Sequence, residues 1–240
     1  MGFAPALHAE WIKIRTLRSQ LASLGAVLAA TAAFSALAAL DTGGSDFDPL
    51  FSAFFGVSFG QIAAIAFGTT AMAAEFQGGA LRVSLAAVPH RGRWFTAKAT
   101  AVAVPALAVG LVTGLLTLAV GRAALGDKAA GLSAGEQLRA VVGCGLYLTL
   151  MALFATGLTA VLRSGVATLS ILIPFLLIVS FVVGDVSGGV ADFLPDRAGQ
   201  AVLHHGSDGL LGPWPGLAVT AAWASAALGA GAWSVLRRDA

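Results

Sequence analysis

Six stretches of about twenty residues, almost without charged side chains, constrain the fold of this chain more than any other feature. Of its 240 residues, 58% are hydrophobic and only 11% are charged, whereas soluble domains average about 25% charged residues. About 20 residues of helix cross the hydrocarbon core of a bilayer. The stretches therefore predict an all-α integral membrane protein, a single transmembrane domain over residues 1–240. Its six predicted spans lie at about 20–40, 50–73, 99–120, 140–162, 166–184 and 214–236.

The distribution of Lys and Arg between the loops predicts the orientation, because cytoplasmic loops carry an excess of both residue types. With the N-terminus inside, ten basic residues are cytoplasmic and four are outside. The cytoplasmic ones are Lys13, Arg15, Arg18, Arg82, Arg91, Arg93, Lys98, Arg163, Arg237 and Arg238. The outer ones are Arg122, Lys128, Arg139 and Arg197. We therefore expect both chain ends on the cytoplasmic side.

Small residues recur every four positions in the second span and form a narrow stripe on one helix face. The stripe consists of Ser52, Gly56, Gly60, Ala64 and Gly68, and a shorter one in the third span consists of Ala106, Gly110 and Gly114. Such stripes let helix backbones approach closely in membranes. A packed partner helix and a chance product of Ala- and Gly-rich composition are the two interpretations.

No Asp, Glu, Lys or Arg lies near the centre of any predicted span. Charges inside the membrane are typical of proton relays and ion pathways, so this pattern argues against an ion-coupled pump or channel. The uncharged polar residues of the spans either line a weakly polar pathway or bond to neighbouring backbone. They are Gln61, Thr69, Thr70, Thr113, Thr117, Tyr147, Thr149, Thr156 and Thr159.

The chain lacks the motifs of enzymes and of metal sites. It has no Gly-Lys pair, so it has no phosphate-binding P-loop and no ATPase site. A single cysteine, Cys144, excludes a disulfide within the chain. We expect no catalytic residue, no bound metal or cofactor, and no nucleic-acid partner. The weak metal candidates are His204 and His205 with Asp208, and the acidic loop residues Asp41, Asp46 and Asp48.

The segment before the first span predicts a helix lying on the membrane surface, at about 5–18. In LHAEWIKIRTLRS, the apolar Leu7, Trp11 and Ile14 share one face, as in interfacial helices. Glu10 and Lys13 are predicted to lie off that face. A plain positively charged anchor is the alternative interpretation.

The cytoplasmic loop 75–98 predicts a short amphipathic element after a Gly78-Gly79 break. Leu81, Val83, Leu85 and Val88 alternate with other residues before Pro89. This element either docks onto a partner or caps the hairpin. The outer loop 185–213 is expected to contain a short helix from about Pro195, since proline suits the first helical turn, and to act as a gate or as a cap.

Three segments in this order resemble permease subunits of type-2 ABC exporters, particularly short actinobacterial ones with the type V exporter fold. They are AEWIKIRTLRS, EFQGGALRVSLAAVPHRGRWFTAKA and LPDRAGQAV. The resemblance implies a half-size subunit in a bacterial plasma membrane that pairs with a second copy or a paralogue. It also implies two copies of a separate ATPase subunit, which would carry ATP and Mg.

The resemblance assigns roles to residues in two segments. The first segment is an elbow helix with Leu7, Trp11, Ile14, Arg15 and Arg18. The ATPase-coupling residues of the second are Glu75, Gln77, Gly78, Gly79, Leu81, Arg82 and Pro89. Arg91, Arg93 and Lys98 are expected to anchor its return to the membrane.

These features predict a non-enzymatic permease subunit that exports an amphipathic or hydrophobic substrate at a dimer interface. One alternative is a non-transporting immunity or regulatory membrane protein that binds a partner. Another is a membrane enzyme acting on lipid, for which no nucleophile, base or metal set is apparent in the sequence.

Overall fold

A computed structural model describes residues 2–38, 48–126, 131–179, 188–206 and 210–237. In these residues every regular element is a helix. The α-helices are α1 Phe3–Thr16, α2 Arg18–Ala38, α3 Pro49–Phe54, α4 Val57–Ala73, α5 Ala80–Ala87, α6 Arg91–Leu125, α7 Ala134–Leu162, α8 Gly165–Pro174, α9 Pro195–Gln200 and α10 Pro213–Arg237. Short 3-10 segments at Ala74–Phe76, Gly188–Phe193 and Ala201–Leu203 and a π-turn at Phe175–Val179 complete the set.

Five helical segments are long and apolar enough to cross a membrane: Arg18–Ala38, Pro49–Phe76, Arg91–Leu125, Ala134–Leu162 and Pro213–Arg237. The chain is thus a multi-pass α-helical membrane protein. The helical segment Gly165–Ile178, at the predicted fifth span, is shorter, and residues 180–184 of that span lie outside the described residues.

Three helix boundaries differ from the sequence prediction. α1 ends at Thr16, because Leu17 is extended, with φ −81° and ψ 117°. The predicted second span consists of two helices, α3 and α4, which meet at Gly56. α6 begins at Arg91, well before the predicted start near residue 99, since no residue between Trp94 and Thr100 breaks a helix.

α7 is the central helix of the bundle. In its most apolar stretch 72% of the residues are buried, against 22% in α2 at the periphery. Close backbone approach explains this burial: a Cβ at Gly110 of α6 would lie 2.9 Å from Gly145 Cα, and one at Gly231 of α10 would lie 2.7 Å from Gly157 O. Small residues thus bring α6 and α10 onto α7.

The predicted stripe of α4 packs against helices of the same chain. A Cβ at Gly60 would overlap the Thr31 hydroxyl of α2, and one at Gly68 would overlap the Ala152 carbonyl of α7. Ala64 is buried between them, whereas Ser52 lies in α3 and is half-buried. The stripe is therefore used inside one chain.

Most threonines of the spans bond to their own helix. The hydroxyl groups donate to the carbonyl four residues earlier, at 2.7–2.8 Å, in Thr70, Thr113, Thr149, Thr156 and Thr159. This arrangement matches the backbone-bonding interpretation of these residues.

Helix α1 and the last turns of α10 lie at the same end of the bundle. Arg91, at the start of α6, donates to Val235 O near the end of α10, at 3.0 Å. We call this the α1 end, because α1 packs there against α6. The opposite end, which holds α3 and α9, is called the far end.

Candidate functional site

A glycine pair turns the chain from the last residues of the second span into α5. Gly78 and Gly79 have φ of 58° and 75°, a left-handed conformation that costs glycine little and other residues more. Gly79 is the N-cap of α5. The pair therefore allows a separate short helix to form directly at the α1 end.

α5 has one packed edge and one exposed edge. Leu81 and Val88 are buried in an apolar cluster with Trp94 of α6, whereas Val83 is 72% exposed. From the sequence, Val83 is placed with Leu81 and Val88 among the apolar residues of an amphipathic element. Because α5 is helical, Val83 lies on the surface instead.

Four charged side chains from three segments meet beneath α5, and we call them the charged cluster: Glu10 and Lys13 of α1, Glu75 after α4, and Lys98 of α6. Lys98 Nζ donates to Glu75 Oε1 at 2.6 Å and also forms an ion pair with Glu10. Lys13 Nζ donates to Glu75 Oε1 at 2.8 Å and to Glu10 Oε1 at 2.9 Å. Ser84 of α5 donates to Glu75 Oε2 at 3.0 Å.

The charged cluster has no net charge, and three of its four members have little contact with water, whereas the Lys13 side chain is 39% exposed. Glu10, Glu75 and Lys98 are each 2–3% exposed. Burial alone would lower the pKa of Lys13, but hydrogen bonds to Glu75 and Glu10 and their negative charges raise it above its ordinary value. Removing one member would leave a buried charge without its partner, which is strongly unfavourable.

Glu10, which the sequence analysis places off the apolar face of Leu7, Trp11 and Ile14, is buried in the structure. The buried residues of α1 are Ala6, Glu10 and Ile14, and the Glu10 carboxylate is buried because Lys98 pairs with it. Trp11 is 40% exposed and Leu7 is half-buried. The apolar surface that α1 presents outward is therefore smaller than predicted.

The structure separates the predicted coupling residues into two groups. Glu75 and Leu81 are buried, whereas Gln77, Arg82 and Pro89 are exposed together with Gly78 and Gly79. In the predicted elbow helix Arg15 and Arg18 are also exposed, but Ile14 is buried. A surface for a partner can include only the exposed members.

Sequence reasoning did not identify the cluster as a site. Its members are distant in sequence, and Lys98 was interpreted as a membrane anchor. One signal was present: Glu10, Glu75 and Lys98 all flank predicted spans on the side assigned to the cytoplasm. Opposite charges at the same membrane depth are candidates for pairing.

A second polar network lies at the far end and is uncharged. The Tyr147 hydroxyl of α7 bonds to Gln61 of α4 and accepts from Gln200 Nε2 of α9 at 3.3 Å. Ser58 donates to Gln200 Oε1 at 2.9 Å. Thr220 of α10 donates to Pro195 O at 2.8 Å. We call Gln61, Tyr147, Gln200 and Ser58 the neutral network; it holds α9 against the bundle.

Asp48 fixes the segment after α9 to the start of α3. Its carboxylate accepts from Leu50 N at 2.9 Å and His205 N at 2.9 Å and lies 3.2 Å from His204 Nδ1. Burial would raise the pKa of Asp48, but His204 and the backbone donors Phe51 N and His205 N lower it to about 2.

The described residues contain no group of three His, Cys, Asp or Glu side chains placed to hold a metal ion. His204 pairs with Asp48, and His205 with Glu136 at 2.9 Å. Asp41, Asp46 and Asp208 of the weak metal candidates lie outside the described residues.

Comparison with known proteins adds no assignment: no protein-family model and no curated protein matches this chain.

Proposed function

We propose that this chain is the membrane subunit of an ATP-driven exporter and that a separate P-loop ATPase docks onto α5 at the α1 end. The observation that carries the proposal is the charged cluster, which ties the short helix α5 to α1, α4 and α6. A helix held in this way moves together with the membrane helices beneath it.

The charged cluster suits the transmission of force. Glu75 accepts from Lys98, Lys13 and Ser84, at 2.6 to 3.0 Å, so one carboxylate joins three helices. Buried ion pairs are short and directional, and separating one of them would leave unpaired charge in a poorly solvated place. Displacement of α5 by a closing ATPase would therefore shift α1 and α6 with it.

The proposed docking surface consists of the exposed residues on and around α5. Its centre is Val83, whose 72% exposure leaves an apolar side chain for a partner to cover, beside the cation Arg82. Gln77 and Pro89 flank it. Apolar and arginine side chains are common anchors at protein interfaces.

In this proposal the bundle has six spans, with α8 and the residues after it as the fifth, and the α1 end faces the cytoplasm of a bacterial cell. The predicted excess of Lys and Arg on that side supports the orientation. Two copies of the ATPase would bind ATP and Mg, and a second permease copy or paralogue would complete the pathway. The cargo would be amphipathic or hydrophobic, since the spans contain no central charge.

Affinity purification of the tagged chain in mild detergent, with identification of bound proteins by mass spectrometry, tests the proposal. We expect a P-loop ATPase to copurify with the wild type and to be lost from Val83→Asp. Val190→Asp is the matched control, because Val190 is 70% exposed but belongs to Gly188–Phe193, which packs against α9 at the far end.

Recovery of some other protein that depends on Val83, with no ATPase, would favour the immunity or regulatory alternative. Equal ATPase recovery with both variants would exclude α5 as the docking site.

A further inference from the structure

A row of exposed side chains runs along the outward face of α8. Val166, Ser170 and Pro174 recur every four residues, and all three are exposed. The apolar Ile171 and Ile178 beside them are 52% and 60% exposed, and Val166 is 78% exposed. Rows with this spacing are the ridges through which two helices pack against each other. We call Val166, Ser170 and Pro174 the α8 ridge.

The backbone carbonyl of Ser170 lacks its usual helical donor. In an α-helix that donor is the N–H four residues later, and the residue there is Pro174, which has no N–H. The next amide, Phe175 N, donates to Ile171 O and Leu172 O. Because Ser170 and Pro174 are both exposed, this carbonyl lies on the outward face of α8.

The side chain of Ser170 is also available for a hydrogen bond. Its hydroxyl bonds to none of the described residues. By contrast, the buried Thr168 of the same helix donates to Ser164 O at 2.8 Å. Ser170 therefore presents one donor and one acceptor at the same place on the α8 ridge.

The chemistry of the α8 ridge indicates what covers it. In the proposed six-span bundle α8 lies in the membrane, and lipid chains would leave the Ser170 hydroxyl and carbonyl without partners, which is costly in hydrocarbon. Water would satisfy Ser170 but would leave Val166, Ile171 and Ile178 in contact with it. A packed helix satisfies both, since membrane helices associate by close packing and by serine hydrogen bonds between helices.

We propose that the α8 ridge is the contact between two copies of this chain, with Ser170 near the two-fold axis. Ser170 is complementary to itself, because the hydroxyl of each copy can donate to the Ser170 carbonyl of the other. Two-fold dimers use the same surface on both subunits, so one residue type satisfies both sides. This inference rests on the proposed function for the second copy and for the membrane position of α8, but it does not involve the ATPase.

Disulfide cross-linking of Ser170→Cys in isolated membranes, with copper phenanthroline as the oxidant, tests the contact. Residues that meet at a two-fold axis can bring their Cα atoms within the range of about 4.4–6.8 Å that a disulfide spans. Two copies with different tags, expressed together, show whether both partners are this chain. We expect a cross-linked species of doubled mass that carries both tags.

Ser225→Cys is the matched control. Ser225 is an exposed serine of α10 whose hydroxyl also bonds to none of the described residues. The residue four positions later is Gly229, which has an N–H, so the Ser225 carbonyl keeps its usual donor. The wild type measures the background from Cys144, which is fully buried. We expect neither protein to cross-link.

Ser170→Ala tests the hydrogen bonds rather than the contact. Energy transfer between labelled copies in lipid vesicles would give the dissociation constant of the dimer. A dimer loses two bonds of modest strength, so we expect this constant to rise about five- to tenfold. Pro174→Ala restores an N–H for the Ser170 carbonyl, so the same Ser170→Ala change should weaken the dimer less in that background.

Several results would overturn the proposal. Ser170→Cys could fail to cross-link, cross-link only to a different protein, or cross-link no more than Ser225→Cys. Labelling of Ser170→Cys by a water-soluble maleimide without cross-linking would show a water-filled pathway in place of a second copy. An equal effect of Ser170→Ala with and without Pro174→Ala would exclude the carbonyl as the acceptor. Copurification of the ATPase with the chain is independent of these results, so the docking proposal for α5 fails or succeeds separately.

Discussion

The two ends of the bundle differ in how deeply their charged contacts are buried. At the α1 end, the buried charges of Glu10, Glu75 and Lys98, with the partly exposed Lys13, join α5 and α1 to the membrane helices. At the far end, the uncharged side chains of the neutral network hold α9, and the ion pairs beside it, Asp48–His204 and Glu136–His205, are 23–49% exposed. Water can replace a neutral hydrogen bond at modest cost, whereas separating buried charges costs several times more. We therefore expect the α1 end to move as a unit and the far end to release α9 more easily.

Of the variants considered, Lys98→Met is expected to lower the free energy of unfolding most. It leaves Glu10 and Glu75 buried with only Lys13 to balance them, which costs about 3–5 kcal/mol of unfolding free energy. Denaturant titration of the purified protein in detergent would measure the loss. Arg15→Met, which removes an exposed cation from α1, is the control and should change stability by less than about 0.5 kcal/mol.

Adding Glu10→Gln to Lys98→Met sharpens this prediction, because it removes one of the two carboxylates left in excess. We expect part of the lost stability to return. A double variant as unstable as the sum of both single changes would show that packing at Lys98, rather than charge balance, matters.

At the far end, Tyr147→Phe is expected to lower the free energy of unfolding by a smaller amount. The variant leaves Gln61 and Gln200 without their shared partner, at a cost of about 1–3 kcal/mol for the polar groups left unpaired. Thr149→Val on the same helix is the matched control, since its buried hydroxyl donates to Gly145 O of its own helix. Thermal unfolding in detergent would compare them, and a Tyr147→Phe loss exceeding that of Lys98→Met would contradict the difference between the ends.

Much of this architecture follows from the sequence, because apolar length and small-residue spacing are local properties. The helix from Pro195 and the packed stripe with Gly60 and Gly68 are examples. The charged cluster depends on how α1 is rotated against α6. Leu7, Trp11 and Ile14 predicted the apolar face of a helix on the membrane surface, with Glu10 off that face, whereas in the structure Glu10 is buried and pairs with Lys98. A local pattern contains no information about such a distant partner.

The smallest expected effect is the pH dependence of the stability that Asp48 contributes at the far end. The pKa of Asp48 is about 2 in the folded protein, against an ordinary value of 3.8. A lowered carboxylate pKa stabilises the fold above the ordinary value, and that contribution is lost as pH falls from 3.8 towards 2. The stability difference between wild type and Asp48→Asn, measured by thermal unfolding at several pH values, should therefore shrink over this interval. A stability difference between wild type and Asp48→Asn that does not change with pH would contradict the lowered pKa of Asp48.

ATP hydrolysis by the partner ATPase in the purified complex, compared between wild type and Glu75→Gln, tests the central claim most directly. Glu75 is buried beneath the proposed docking surface, so the variant should still bind the ATPase through Val83 and Arg82. We expect hydrolysis to fall to the rate of the isolated ATPase, because α5 no longer moves with α1 and α6. Full hydrolysis in the Glu75→Gln complex would show that the charged cluster does not couple the partner to the membrane helices.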